Sequence, residues 1–128
     1  MNGKHKIMLS LLAGAALGAT AVQVLHADTK PKAYLVTETE LLDPAALSAY
    51  LPKIREAAKA AGGNIDFIRS GGTIVKVVGE APKRVGISEW ESLEKVQAWM
   101  DSPARKELAP QRDKVQRITR QFIIEPPK

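Results

Sequence analysis

The chain predicts an α+β domain in which an antiparallel sheet carries its helices on one face. Three observations carry that expectation. Short β-prone runs alternate with helical patterns in the order β-α-β-(β)-β-α-(α)-β. Two helices open on a capping residue followed by proline, at Asp43-Pro44 and Ser102-Pro103. The chain has 128 residues, 45% of them hydrophobic, which suits one modest core.

The first 27 residues stand apart. Lys4, His5 and Lys6 precede an uncharged run, Ile7 to Leu25, and no acidic residue occurs before Asp28. A basic start, an apolar stretch and small residues are the pattern of a secretory signal, with cleavage after Ala21 or Ala27. The run also nearly reaches the ~20 residues needed to span a bilayer, so an uncleaved anchor is the alternative. Both place the domain outside the cytoplasm, periplasmic or secreted. Residues 28–32 (D-T-K-P-K) read as a linker, 33–125 as the domain and 126–128 as a tail.

Ala33 to Glu40 (A-Y-L-V-T-E-T-E) is rich in aromatic and β-branched residues and predicts the first strand. Leu47, Tyr50, Leu51, Ile54, Ala58 and Ala61 then recur at three- and four-residue spacing, one apolar helix face that Gly62-Gly63 ends. Pro52 lies inside it and predicts a kink or a restart. Two β-prone runs follow, Ile65 to Arg69 and Thr73 to Val78, separated by Ser70-Gly71-Gly72, a hairpin signal. Arg84 to Trp90 predicts another strand. Ser92 caps a helix bearing Leu93, Val96, Trp99 and Met100. A third short helix starts at Ser102-Pro103 and is expected to be interrupted at Pro110, and Arg117 to Glu125 forms the closing strand. Two split βαβ halves in this order are the ferredoxin-like pattern.

Composition excludes several chemistries. The chain has no cysteine, and its two histidines, His5 and His26, precede the domain. A disulfide, a thiolate nucleophile, a serine–histidine triad and a histidine-bound metal or haem have no candidate residues there. Formal charge is +5, two of those charges coming from Lys4 and Lys6. Six cations (Arg105, Lys106, Arg112, Lys114, Arg117, Arg120) face only Glu107 and Asp113 over sixteen residues. Nucleic-acid binding would want interleaved aromatics, which are missing, so the run reads as a solvated helix face.

The remaining candidates are few. Glu38 and Glu89 fall in strands expected to be parallel central neighbours, where two adjacent carboxylates would push one pKa upward and give a general acid/base pair. Against this stands the reading that each faces solvent or pairs with a cation. Arg69, before the glycine pair, suits a bidentate hold on a substrate carboxylate, or a plain surface salt bridge. Trp90 and Trp99 can line a pocket, although Trp99 at helical spacing with Val96 fits simple core. Tyr34 and Tyr50 are the only phenols. No acidic cluster suits a metal. The strand faces lack clean polar alternation: Val85 and Ile87 share a side, as do Ile118, Phe122 and Ile124. An apolar second face predicts a homodimer, two sheets closing a dimeric α+β barrel.

The stretches K-A-Y-L-V-T-E-T-E-L-L-D-P-A-A-L-S-A-Y-L-P-K, A-A-G-G, I-R-S-G-G and S-E-W-E-S-L-E-K-V-Q-A-W-M-D-S-P resemble domain-of-unknown-function family 1330 over about residues 33–125. The resemblance implies the dimeric α+β barrel group. Relatives in that group include cofactor-free monooxygenases, lactone isomerases and haem enzymes, the last using a proximal histidine that this domain lacks. It departs at Met100 and at Ala104 or Arg105, where relatives commonly carry tyrosine. The function expected is binding of a small organic ligand without metal, haem or other cofactor; the alternative is a cofactor-free enzyme using strand carboxylates.

Overall fold

The computed structural model describes residues 30–128. The expected leader or anchor and both histidines lie outside the described residues. Four strands and three helices follow in chain order: β1 (Ala33–Leu41), α1 (Pro44–Ala60), β2 (Gly63–Ile68), β3 (Val85–Trp90), α2 (Leu93–Met100), α3 (Pro103–Val115) and β4 (Gln116–Ile124). The sheet order is β2-β3-β1-β4 and every pairing is antiparallel. This is the ferredoxin-like α+β fold.

Local chemistry sets the helix boundaries. The Asp43 side chain accepts the Ala46 N–H and Pro44 follows it, so α1 starts with one exposed donor satisfied and another absent. Ser92 and Ser102 cap α2 and α3 in the same way, accepting from the Lys95 and Arg105 N–H groups. Gly62 ends α1 in the left-handed region, φ 94°, where an L side chain is strained.

Neither internal proline breaks its helix. α1 runs through Pro52 without a restart, and α3 runs through Pro110 to Val115. An internal proline removes one backbone bond and crowds the preceding turn. Burial offsets that: Tyr50 and Ala58 are buried on either side of Pro52 in α1, and Val115 is buried at the end of α3. A further expectation fails. Thr73–Val78 forms no strand, and Val75, Val77 and Val78 are 77%, 88% and 91% exposed. Its β-branched residues find no strand partner among the described residues, and β propensity without one is not enough.

Pairing register sorts the side chains onto two faces. Leu35 opposes Ser88 on one side and Ile123 on the other, and Ala33 opposes Trp90. These point toward the helices, where Ala33, Leu35, Ala58, Trp90, Val96 and Trp99 form the core. Tyr34, Val36 and Glu38, with Glu89, Ile87, Phe122 and Ile124, occupy the opposite face. A bulge interrupts the β1–β4 ladder: Glu38 pairs with Arg120 and Thr39 with Ile118, leaving Thr119 extra. The expected grouping of Ile118 with Phe122 is therefore corrected, because the inserted residue moves Ile118 to the helix-facing side.

Candidate functional site

Between the helix layer and the sheet lies a cavity of about 240 Å³. Its floor comes from the helix-facing row of the sheet: Leu35 and Thr37 of β1, Ser88 and Trp90 of β3, Ile118 and Gln121 of β4. α1 supplies Leu47, Tyr50, Leu51 and Ile54, and Trp99 of α2 completes the apolar wall. Trp90 is fixed from three directions. Its indole N–H donates to Ser88 Oγ at 2.8 Å, its ring lies 5.5 Å from that of Trp99, and Gly63 leaves room for it. A Cβ on Gly63 would sit 2.6 Å from three carbons of the Trp90 ring. Gly86 does the same for the loop after β2, since a Cβ there would meet Ser70 Oγ at 2.3 Å.

The polar part of the lining is lopsided. Five arginines border the cavity (Arg55, Arg69, Arg84, Arg105, Arg112) against a single carboxylate, Asp66. That carboxylate is already engaged on the β2 side. Arg55 grips it with Nε and Nη2 at 2.7 and 3.1 Å, and Arg69 Nε stands 3.3 Å away. The Arg55 hydrogen bond holds the Asp66 carboxyl below its ordinary pKa. Arg84 Nε is buried without a hydrogen-bond partner.

On the β4 side no carboxylate lines the cavity. Arg105 donates to the Met100 carbonyl at 3.3 Å and to Gln121 Oε1 at 3.4 Å, both neutral and both long. Gln121 is itself fixed by donating to Thr37 Oγ1 at 2.9 Å. Burial pushes the Arg105 pKa down, and the nearby Arg112 adds to the shift. Burial pushes the Tyr50 phenol up, so it remains a hydrogen-bond donor at neutral pH.

The residues expected to carry function divide between the two faces. Trp90 and Arg69 border the cavity; Arg69 is largely exposed and paired with Asp66. Glu38, Glu89 and Tyr34 lie on the opposite face. Glu38 and Glu89 are on central neighbouring strands, but the strands are antiparallel, correcting the expected parallel pairing. Glu89 stands opposite Tyr34, four residues along β1 from Glu38. That is about 13 Å at the strand rise. Each carboxylate has its own cation: Arg120 holds Glu38 with both Nε and Nη2, and Lys32 Nζ is 2.8 Å from Glu89 Oε1. Tyr34 donates to Glu89 at 3.4 Å and packs on Phe67 at 5.3 Å. They do not form a shared acid/base site.

The basic run is not a uniformly solvated face either. Arg105 and Arg112 turn into the cavity, while Arg117 and Arg120 pair with Glu40 and Glu38 on the far side of the sheet. The signal was present in the spacing: Arg105, Leu108, Ala109 and Arg112 sit at helical intervals on one face of α3. Among the described residues, no group of three or more histidine, cysteine, aspartate or glutamate side chains is placed to hold a metal ion.

Solved structures share this architecture. The chain is similar to RPA0582, a protein of unknown function from Rhodopseudomonas palustris, with a TM-score of 0.57 and 17% identity over 86% of this chain and 93% of that one. A methylated form of RPA0582 gives 0.56 and 16%, covering 86% and 91%. SnoaB, a cofactor-independent oxygenase from Streptomyces nogalater, gives 0.54 and 12%, covering 77% and 95%. At these identities the likeness is one of fold. No curated protein matches the chain. Residues 32–126 match the family described as Domain of unknown function (DUF1330), and the chain belongs to that family.

Proposed function

We propose that this protein binds a small, largely apolar organic molecule in the cavity between its helices and its sheet, without metal, haem or organic cofactor. The cavity itself carries the reading. A pocket of ~150 Å³ lined by aliphatic and aromatic side chains accommodates benzene, and 240 Å³ gives room for a bicyclic body. Trp90 and Trp99 offer flat apolar surface, and the polar groups gather at the margins, the usual arrangement of a ligand site. Protein isolated from its native lysate and examined by non-denaturing mass spectrometry should carry an organic adduct that is released on unfolding. Adduct-free protein whose melting temperature no aromatic compound raises would refute it.

The same reading includes export and self-association. Export rests on the basic start and uncharged run of residues 1–27, and N-terminal sequencing of native material tests it: an intact Met1 on cytoplasmic protein would sink it. Self-association through the uncovered sheet face is supported by Phe67, Ile68, Phe122 and Ile124, all large, apolar and exposed there or at its edge. Cofactor-free oxygenation, as the name of SnoaB describes for that protein, is a chemistry this fold can host. The separately paired Glu38 and Glu89 give it no favoured base here.

A further inference from the structure

Arg105 is a partly buried cation of the cavity whose guanidinium donates only long hydrogen bonds, both to neutral groups. The cost of partly desolvating a guanidinium is ordinarily met by a carboxylate partner and short charge-assisted bonds. Around this cavity three of the other arginines show the contrast, while Arg84 has a buried Nε with no hydrogen-bond partner. Arg55 and Arg69 share Asp66, and Arg112 Nε donates to Asp113 at 3.0 Å. Arg105 instead has the Met100 carbonyl and the Gln121 amide oxygen, at 3.3 and 3.4 Å, and forms no ion pair among the described residues.

A second observation is independent of the first. Arg112 lines the same cavity, and its charge acts against that of Arg105 more strongly than either the Asp101 or the Asp113 carboxylate offsets it. Two guanidinium groups bordering one apolar space favour an anion between them. Tyr50, buried and still protonated, lines the same part of the wall, and Gln121, held by Thr37, steadies the guanidinium from the sheet side.

From this we infer that the ligand is an organic anion, a carboxylate on an apolar planar body, with Arg105 as its principal binding residue and Arg112 and Tyr50 completing the cradle. The inference rests on the cavity being a ligand site, and it assigns the class of molecule. The fork of a guanidinium matches the two oxygens of a carboxylate, which a neutral amide offers only in half measure. The Trp90–Trp99 wall takes the rest of the molecule. On the β2 side Arg55 and Arg69 are already engaged by Asp66, so the acid group enters toward β4.

The test compares two isosteric probes, 2-naphthoate and 2-naphthamide, by calorimetry against wild type, Arg105→Gln and Arg105→Lys. Arg117→Gln, on the other face of the sheet, serves as the control. Wild type and R117Q should prefer the acid at least tenfold. R105Q should lose that preference by weakening acid binding alone, and R105K should keep part of it. Equal affinity of wild type for acid and amide overturns the inference and leaves the cavity reading standing, a result that needs no variant to fold. An undiminished preference in R105Q does the same. Binding of neither probe at millimolar concentration overturns both.

Discussion

Gly63→Ala probes the contact that fixes the cavity wall. The added methyl would stand 2.6 Å from Cε2, Cζ2 and Cη2 of Trp90, about an ångström inside normal contact. The ring is held in place: it is 1% exposed, packed on Trp99 and tethered to Ser88. Overpacking of this kind costs about 1–3 kcal/mol. Alanine also restricts the unfolded chain, which offsets about 0.4–1 kcal/mol. A net loss of about 1–2 kcal/mol remains, lowering the melting temperature by about 4–16 °C for a domain of this size. Gly72→Ala is the matched control, because a Cβ there meets nothing within 4 Å. Scanning calorimetry reads the stability, and near-ultraviolet circular dichroism reads the displaced indole. G63A melting within 2 °C of G72A, with an unchanged aromatic spectrum, would refute the claim that glycine is required beneath Trp90.

Three further outcomes follow from the charges and the open face. Arg55 holds the Asp66 carboxyl below its ordinary pKa, so its stabilising effect is full above the unfolded value, near pH 4, and disappears as pH falls through the folded one. Melting temperature followed from pH 7 to 2.5 should therefore drop more steeply below pH 4 in wild type than in Asp66→Asn; parallel curves would contradict this. Phe122→Asp, placing a charge on the open sheet face, should shift sedimentation from dimer toward monomer at tens of micromolar while leaving far-ultraviolet dichroism unchanged, and an intact dimer would rule out that interface. Treatment with a strong chelator should leave melting temperature and self-association unchanged, whereas a fall of several degrees would reveal a structural metal.

The elements legible in the sequence were those whose ends carry their own chemistry. Asp43-Pro44, Ser92 and Ser102-Pro103 each mark a helix start to the residue, because capping is settled within four positions. The strands at 33–41, 85–90 and 116–124 were legible within one or two residues from β-branched and aromatic content. What local pattern could not reveal depends on partners distant in sequence. Thr73–Val78 has the composition of a strand and, among the described residues, no strand to pair with. Ile118 changes face because Thr119 is inserted opposite a two-residue step of β1. Pro52 and Pro110 are outvoted by burial elsewhere on their helices.

The candidate site divided in the same way. Trp90 and Arg69 could be named because a tryptophan ending a strand and an arginine before a glycine pair stand out locally. Glu38 and Glu89 stood out equally, and only the antiparallel register shows them about 13 Å apart, each beside its own cation. Arg105 was hidden in a basic run whose average character is solvated surface. Its significance comes from partial burial and long bonds to neutral partners that tertiary packing alone creates.

The central claim is that the space between helices and sheet is where this protein binds, and a crystal structure of the full chain saturated with 2-naphthoate tests it most directly. The account predicts ring density between Leu47, Ile54 and Trp90, with the acid group within hydrogen-bond distance of Arg105 and Tyr50. A cavity filled only by water at saturation, or ring density on the opposite face between Glu38 and Glu89, would contradict it.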